Sequence, residues 1–139
     1  ALVSKGSLCY PQQSPDGTFV AYLFNDEHTH RPRIGVVRFD DGTLIKTIDL
    51  PITATPNANS LLFYRGWHWS VDGKAIVYVS TLGTVSNLWS QPIDGGAAKQ
   101  ITNFKADRIL TFGFSPDGRK LALARGSTAS DAVLISEEK

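Results

Sequence analysis

Apolar positions along the chain fall in short runs separated by polar turn signals. Three runs stand out: Phe19-Val20-Ala21-Tyr22-Leu23-Phe24, Ala75-Ile76-Val77-Tyr78-Val79 and Leu121-Ala122-Leu123-Ala124. Each follows the same four-residue signal: Ser14-Pro15-Asp16-Gly17, Ser70-Val71-Asp72-Gly73 and Ser115-Pro116-Asp117-Gly118. Leu61 to Trp69 and Ile109 to Phe114 lead into the last two signals, and a weaker segment, Leu8 to Gln13, leads into the first. Proline at the second position presets φ for a type I turn. Aspartate tolerates the third position, and glycine accepts the left-handed conformation at the fourth. Each signal therefore predicts a tight hairpin joining two antiparallel strands.

The pattern continues in register. Third strands are predicted at Arg33 to Phe39, Asn87 to Ile93 and Ala132 to Ser136. The first two run into Asp40-Asp41-Gly42 and Asp94-Gly95-Gly96, and fourth strands follow at Leu44 to Leu50 and Lys99 to Thr102. The turn aspartates Asp16, Asp72 and Asp117 are 56 and then 45 residues apart. No segment carries a helical period. The second strands read as nearly continuous apolar runs, which implies burial on both faces rather than one wet face. Four-strand units of this length, buried on both sides, are the blades of a β-propeller. The expected fold is all-β: three four-stranded antiparallel blades, at about residues 6–50, 60–102 and 107–137, in one segment spanning 1–139.

The third blade lacks a fourth strand, while Leu2-Val3-Ser4 precedes blade one where such a strand belongs. Residues 1–5 are thus expected to close a last blade. Three blades do not close a ring, since propellers have four to eight. Two copies related by a two-fold axis would give a six-bladed ring; alternatively the chain is part of a longer propeller. The absence of methionine, initiator included, leads us to expect a processed or cut N-terminus.

The Ser-Pro-Asp-Gly turns, the strand Ile76-Val77-Tyr78, the segment Asn87-Leu88-Trp89 with Ile93-Asp94-Gly95-Gly96, and the junction Lys99-Gln100-Ile101-Thr102-Asn103-Phe104 resemble the TolB-type, WD-like propeller repeat. The resemblance covers nearly the whole chain. The resemblance, shared by periplasmic TolB-type proteins and by the propellers of prolyl-oligopeptidase-type peptidases, suggests a periplasmic or other extracytoplasmic bacterial setting. The final strands, Leu121 to Gly126 and Val133 to Ser136, look most like propellers at the C-terminus of bacterial serine/threonine kinases, although no kinase residues are present. The Trp-Asp dipeptide of true WD repeats and the Ser-x-Asp-x-Gly box of sialidases are both missing.

Charge and chemistry narrow the function. A net charge of +1 gives no basic stripe for nucleic acid. No apolar run reaches the ~20 residues of a membrane helix. Cys9 is the single cysteine, so no disulfide forms within the chain. Asp26, Glu27, His28 and His30 cluster in one loop, but a polar surface loop explains them without a metal. His68, between Trp67 and Trp69, points opposite to both on a strand and reads as packed or channel-lining. Gly126 to Ser130 is no nucleophile elbow. We expect no catalytic residues, no metal and no cofactor.

Strand direction puts the hairpin signals on one end of the blades. The other end takes Asn25 to Pro32, Pro51 to Ser60, Leu82 to Val85, Phe104 to Arg108 and Gly126 to Ser130. Binding loops on rigid scaffolds sit at such ends. Arg31, Arg65, His68 and Arg108 are the candidate binding residues for a protein or peptide partner. The leading expectation is a sensor or scaffold module. The alternatives are an accessory propeller of a prolyl-oligopeptidase-type peptidase, and a propeller hydrolase or lactonase with a channel metal.

Overall fold

The computed structural model describes residues 9–50 and 66–127. They form ten strands and, among the described residues, no helix. The expected closing segment 1–5, the start of the strand before Trp67, and the third strand of blade three lie outside the described residues.

The first sheet runs in the order β1 (Cys9–Gln13), β2 (Phe19–Asn25), β3 (Pro32–Arg38), β4 (Leu44–Asp49). The second repeats it with β5 (Trp67–Trp69), β6 (Ala75–Leu82), β7 (Val85–Pro92) and β8 (Lys99–Gln100). The third is described as a pair, β9 (Arg108–Phe114) and β10 (Leu121–Gly126). All neighbouring strands are antiparallel.

The three signal turns are built alike. The Ser14 carbonyl accepts from the Gly17 N–H at 2.9 Å, and Gly17 sits at φ +77°. The Ser14 hydroxyl donates to Asp16 Oδ1 at 2.6 Å and accepts from the Phe19 N–H at 2.9 Å. Asp16 Oδ1 also accepts from the Thr18 N–H. Ser70 with Asp72, and Ser115 with Asp117, make the same bonds. Serine thus closes the strand end as well as the turn. The serine hydroxyl is the main reason the three aspartates titrate below the usual carboxylate value.

Alternation sorts the second sheet onto two cores. Trp67, Trp69, Ile76 and Tyr78 pack with Ala21, Leu23, Ile34, Val36 and Ile48 of the first sheet. Val77 and Leu88 pack the other way, with Ile109 and Phe112 of the third. A sheet covered on both faces has no wet side, which explains its continuous apolar strands.

One expected loop is tighter than its composition implied. Leu82 to Val85 was expected to be among the longer loops. Instead Leu82 pairs directly with Val85, leaving a two-residue turn in which Gly83 takes φ +62°. The bends at Asp40–Gly42 and Asp94–Gly96 fall between strands, as the repeat implied.

Candidate functional site

The ends of β2, β6 and β10 lie at the same end of the stacked sheets, opposite the signal turns. Here the β2–β3 loop is fixed by Asp26. Its Oδ1 accepts from the N–H groups of Thr29 (2.8 Å) and His28 (3.1 Å) and from the Thr29 hydroxyl (2.9 Å). Its Oδ2 lies 3.0 Å from Arg33 Nη1. The Thr29 bonds chiefly, and then Arg33, hold the Asp26 carboxyl far below the usual carboxylate range. The Asp26 N–H donates to the Arg31 carbonyl, and His30 adopts φ +53°. Asp26 is therefore committed to its own loop and is not free to ligate beside His28 and His30. Among the described residues no three His, Cys, Asp or Glu side chains converge on a metal position.

The junction into β9 is fixed too. Arg125 donates from Nη2 to the Ala106 carbonyl at 2.5 Å, and its guanidinium carbon lies 3.7 Å from the Phe104 ring centroid. Asp107 adopts φ +65°, and its carbonyl accepts from the Ser86 N–H. Non-glycine residues in the left-handed region are uncommon, and they persist where surrounding bonds over-determine them. Among the described residues Tyr10, His30 and Asp107 take this conformation; His30 lies in the β2–β3 loop and Asp107 in the junction into β9.

The expected binding residues separate. Arg31 is exposed on the Asp26-fixed loop. Arg108 opens β9 and reaches the Gly83 carbonyl at 3.4 Å. His68 is half-buried on β5, with its ring edge-on to Phe112 at 5.0 Å. Arg65 lies outside the described residues. No hydrogen bond or ion pair among the described residues joins Arg31 to His68 or Arg108. Sequence reasoning missed Leu82, which is 83% exposed at this end, and Lys105, exposed on the same junction. Strand alternation could have flagged Leu82 only if the tight turn had been recognised.

The same stack of antiparallel four-stranded sheets occurs in solved proteins. A putative TolB from Agrobacterium tumefaciens superposes with a TM-score of 0.59 at 22% identity, over 88% of this chain and 40% of that one. TolB from Acinetobacter baumannii gives 0.56 at 20% identity, over 86% and 27%. The chain has a TolB-like β-propeller fold. The propeller domain of the trilobed protease from Pyrococcus furiosus, which has an open velcro topology, superposes similarly at 0.55 and 21% identity, over 85% and 34%. In sequence, the propeller is 33% identical over 97 residues to the Tol-Pal system protein TolB of Francisella tularensis, 70% of this chain. It spans only 19% of that relative's length. No family model matches.

Burial of His68 has a consequence for pH. Desolvation lowers its pKa below the ordinary value, with the Phe112 backbone acting weakly the other way. Below about pH 6.5 the unfolded chain binds a proton at this position that the propeller resists. Stability is therefore expected to fall as pH drops from 7 toward 5. Melting curves across that range should show a decline of a few degrees, and His68→Gln should flatten it. Equal slopes in the two proteins would contradict the assignment.

Proposed function

We propose that the chain is a non-catalytic, protein- or peptide-binding propeller module whose partner docks on the end opposite the signal turns. The observation that carries this is the fixed loop end. His30 and Asp107 are held in left-handed conformations by the Asp26 and Ser86 bonds. Such strain, maintained by surrounding contacts, suits a preformed recognition surface. That end exposes Arg31 on one loop, and Leu82, Lys105 and Arg108 on the turn and junction of the next blades. It fits a partner that carries carboxylates beside an apolar side chain.

The similarity to TolB makes Tol-Pal system components the first partners to test, and a periplasmic setting goes with that reading. A parent kinase, suggested by the final strands, and an accessory role beside a peptidase, suggested by the trilobed protease propeller, are separated by the reading frame around this segment. In the same reading two copies of the chain close one ring.

The isotopically labelled chain should be titrated with purified Tol-Pal components while backbone amide shifts are followed. Shifts confined to residues 26–31, 82–85 and 104–108 are expected. Arg31→Glu with Arg108→Glu should weaken binding about 10-fold or more, the effect of reversing rim charges. Shifts mapping to the signal turns, or no binding at high micromolar concentration, would overturn the reading.

A further inference from the structure

The two seams between the sheets share one construction, and each end of the chain carries half of it. Within a seam, one residue set on the second strand faces the following sheet and the alternate set faces the preceding one. Ala21 and Leu23 face forward, and Ile76 and Tyr78 face back onto them. Val77 and Val79 face forward, and Leu121 and Leu123 face back. The signal turns repeat the contact. A methyl group at Gly73 would lie 3.6 Å from Pro15 Cδ, and one at Gly118 would lie 3.0 Å from Val71 Cβ. The second residue of each turn thus seats over the glycine of the next.

At the start of the series the backward-facing set is Val20, Tyr22 and Phe24. Tyr22 and Phe24 pack ring to ring at 5.6 Å, and Tyr22 lies over Gly35, where a methyl would come within 2.5 Å of Tyr22 Cζ. Among the described residues no preceding turn seats on Gly17. At the other end the forward-facing set is Ala122 and Ala124, both exposed, and among the described residues Pro116 seats on no glycine. One end is bulky and aromatic; the other is small and flat.

We propose that these ends bind each other between two copies of the chain, with Ala122 and Ala124 of one copy against Tyr22 and Phe24 of the other, and Pro116 over Gly17. This rests on the reading that two copies close one ring. The occupant is a second copy because the new seam continues a contact the chain already makes twice, in the same direction. Two such seams related by a two-fold axis bring six sheets into a closed ring, within the propeller range.

Light scattering of the full chain at micromolar concentration should give twice the mass of one chain. Ala122→Arg with Ala124→Arg places charges where the single chain is exposed, so folding should survive, as circular dichroism and melting at low concentration would verify. The dimer dissociation constant should rise about 100-fold or more, because buried unpaired charges are strongly unfavourable and each occurs twice. Leu82→Ser, at the loop end, should leave the mass unchanged. A monomeric parent chain would overturn both ring closure and this contact. A parent dimer that survives the double substitution would overturn this contact alone and leave two-copy closure standing.

Discussion

Trp67→Ala should lower unfolding stability by about 3–5 kcal/mol, the range for truncating a fully buried tryptophan. Trp67 is 2% exposed and sits in the seam between the first two sheets, packed with Leu23, Ile34 and Tyr78 among others. Domains of this size have total stabilities of about 5–15 kcal/mol. The loss is then a large share of the whole. With slopes of roughly 1–3 kcal/mol per molar urea, the denaturation midpoint should fall by more than about 1 M.

The same position offers a control for mechanism. The Trp67 indole N–H is buried and has no acceptor among the described residues. Trp67→Phe removes that donor while keeping most of the ring, so relief of an unsatisfied group offsets part of the lost packing. Its effect should stay under about 1.5 kcal/mol. Trp69 differs: its N–H donates to the Gln12 carbonyl at 3.0 Å, across 57 residues of sequence. Trp69→Phe should therefore be the more costly of the two phenylalanine variants. An alanine variant at Trp67 within 1 kcal/mol of the parent would show that this seam does not hold the sheets together.

What the sequence made legible was what local chemistry encodes. The turns at Asp16, Asp72 and Asp117 were readable because proline, aspartate and glycine each have a positional reason to be there. The orientation of His68 followed from strand alternation between Trp67 and Trp69. Burial on both faces of the second sheet followed from the unbroken run Ala75 to Val79. Less legible was the shared serine. The hydroxyl of Ser14 reaches an N–H five residues on, which requires the hairpin to exist first. The Leu82–Val85 turn was misjudged in length because Gly83 alone carries its geometry. The contacts of Gln12 with Trp67 and Trp69, and of Arg125 with Phe104, leave no periodic trace at all. At the loop end, strand direction placed Arg31 and Arg108 on the expected surface. The bonds that shape that surface run through Asp26 and Arg125, whose partners are set by folding rather than by spacing.

Asn87 shows how such a long-range bond can be measured. Its Oδ1 accepts from the Thr102 hydroxyl at 2.9 Å and from the Phe104 N–H at 2.6 Å, and its Nδ2 donates to the Phe104 carbonyl at 3.3 Å. Thr102 in turn accepts from the Leu88 N–H at 2.9 Å. The β7–β8 ladder itself has only two pairs, Trp89 with Gln100 and Ser90 with Lys99. Beyond them, the Ile101 N–H donates to the Leu88 carbonyl at 2.8 Å, and this side-chain network then ties residues 102–104 to β7, next to the contact of Phe104 with Arg125. Asn87→Ala strands the Phe104 amide and the Thr102 hydroxyl in a partly buried site. It should destabilise the fold by about 2–3 kcal/mol, more than one ordinary hydrogen bond. Thr102→Val removes the bridge to Leu88 and should cost about 1–2 kcal/mol. Because both substitutions break one network, the double variant should cost about 1 kcal/mol less than the sum of the two. Strict additivity in denaturant titrations would mean that the two side chains act independently rather than as one network.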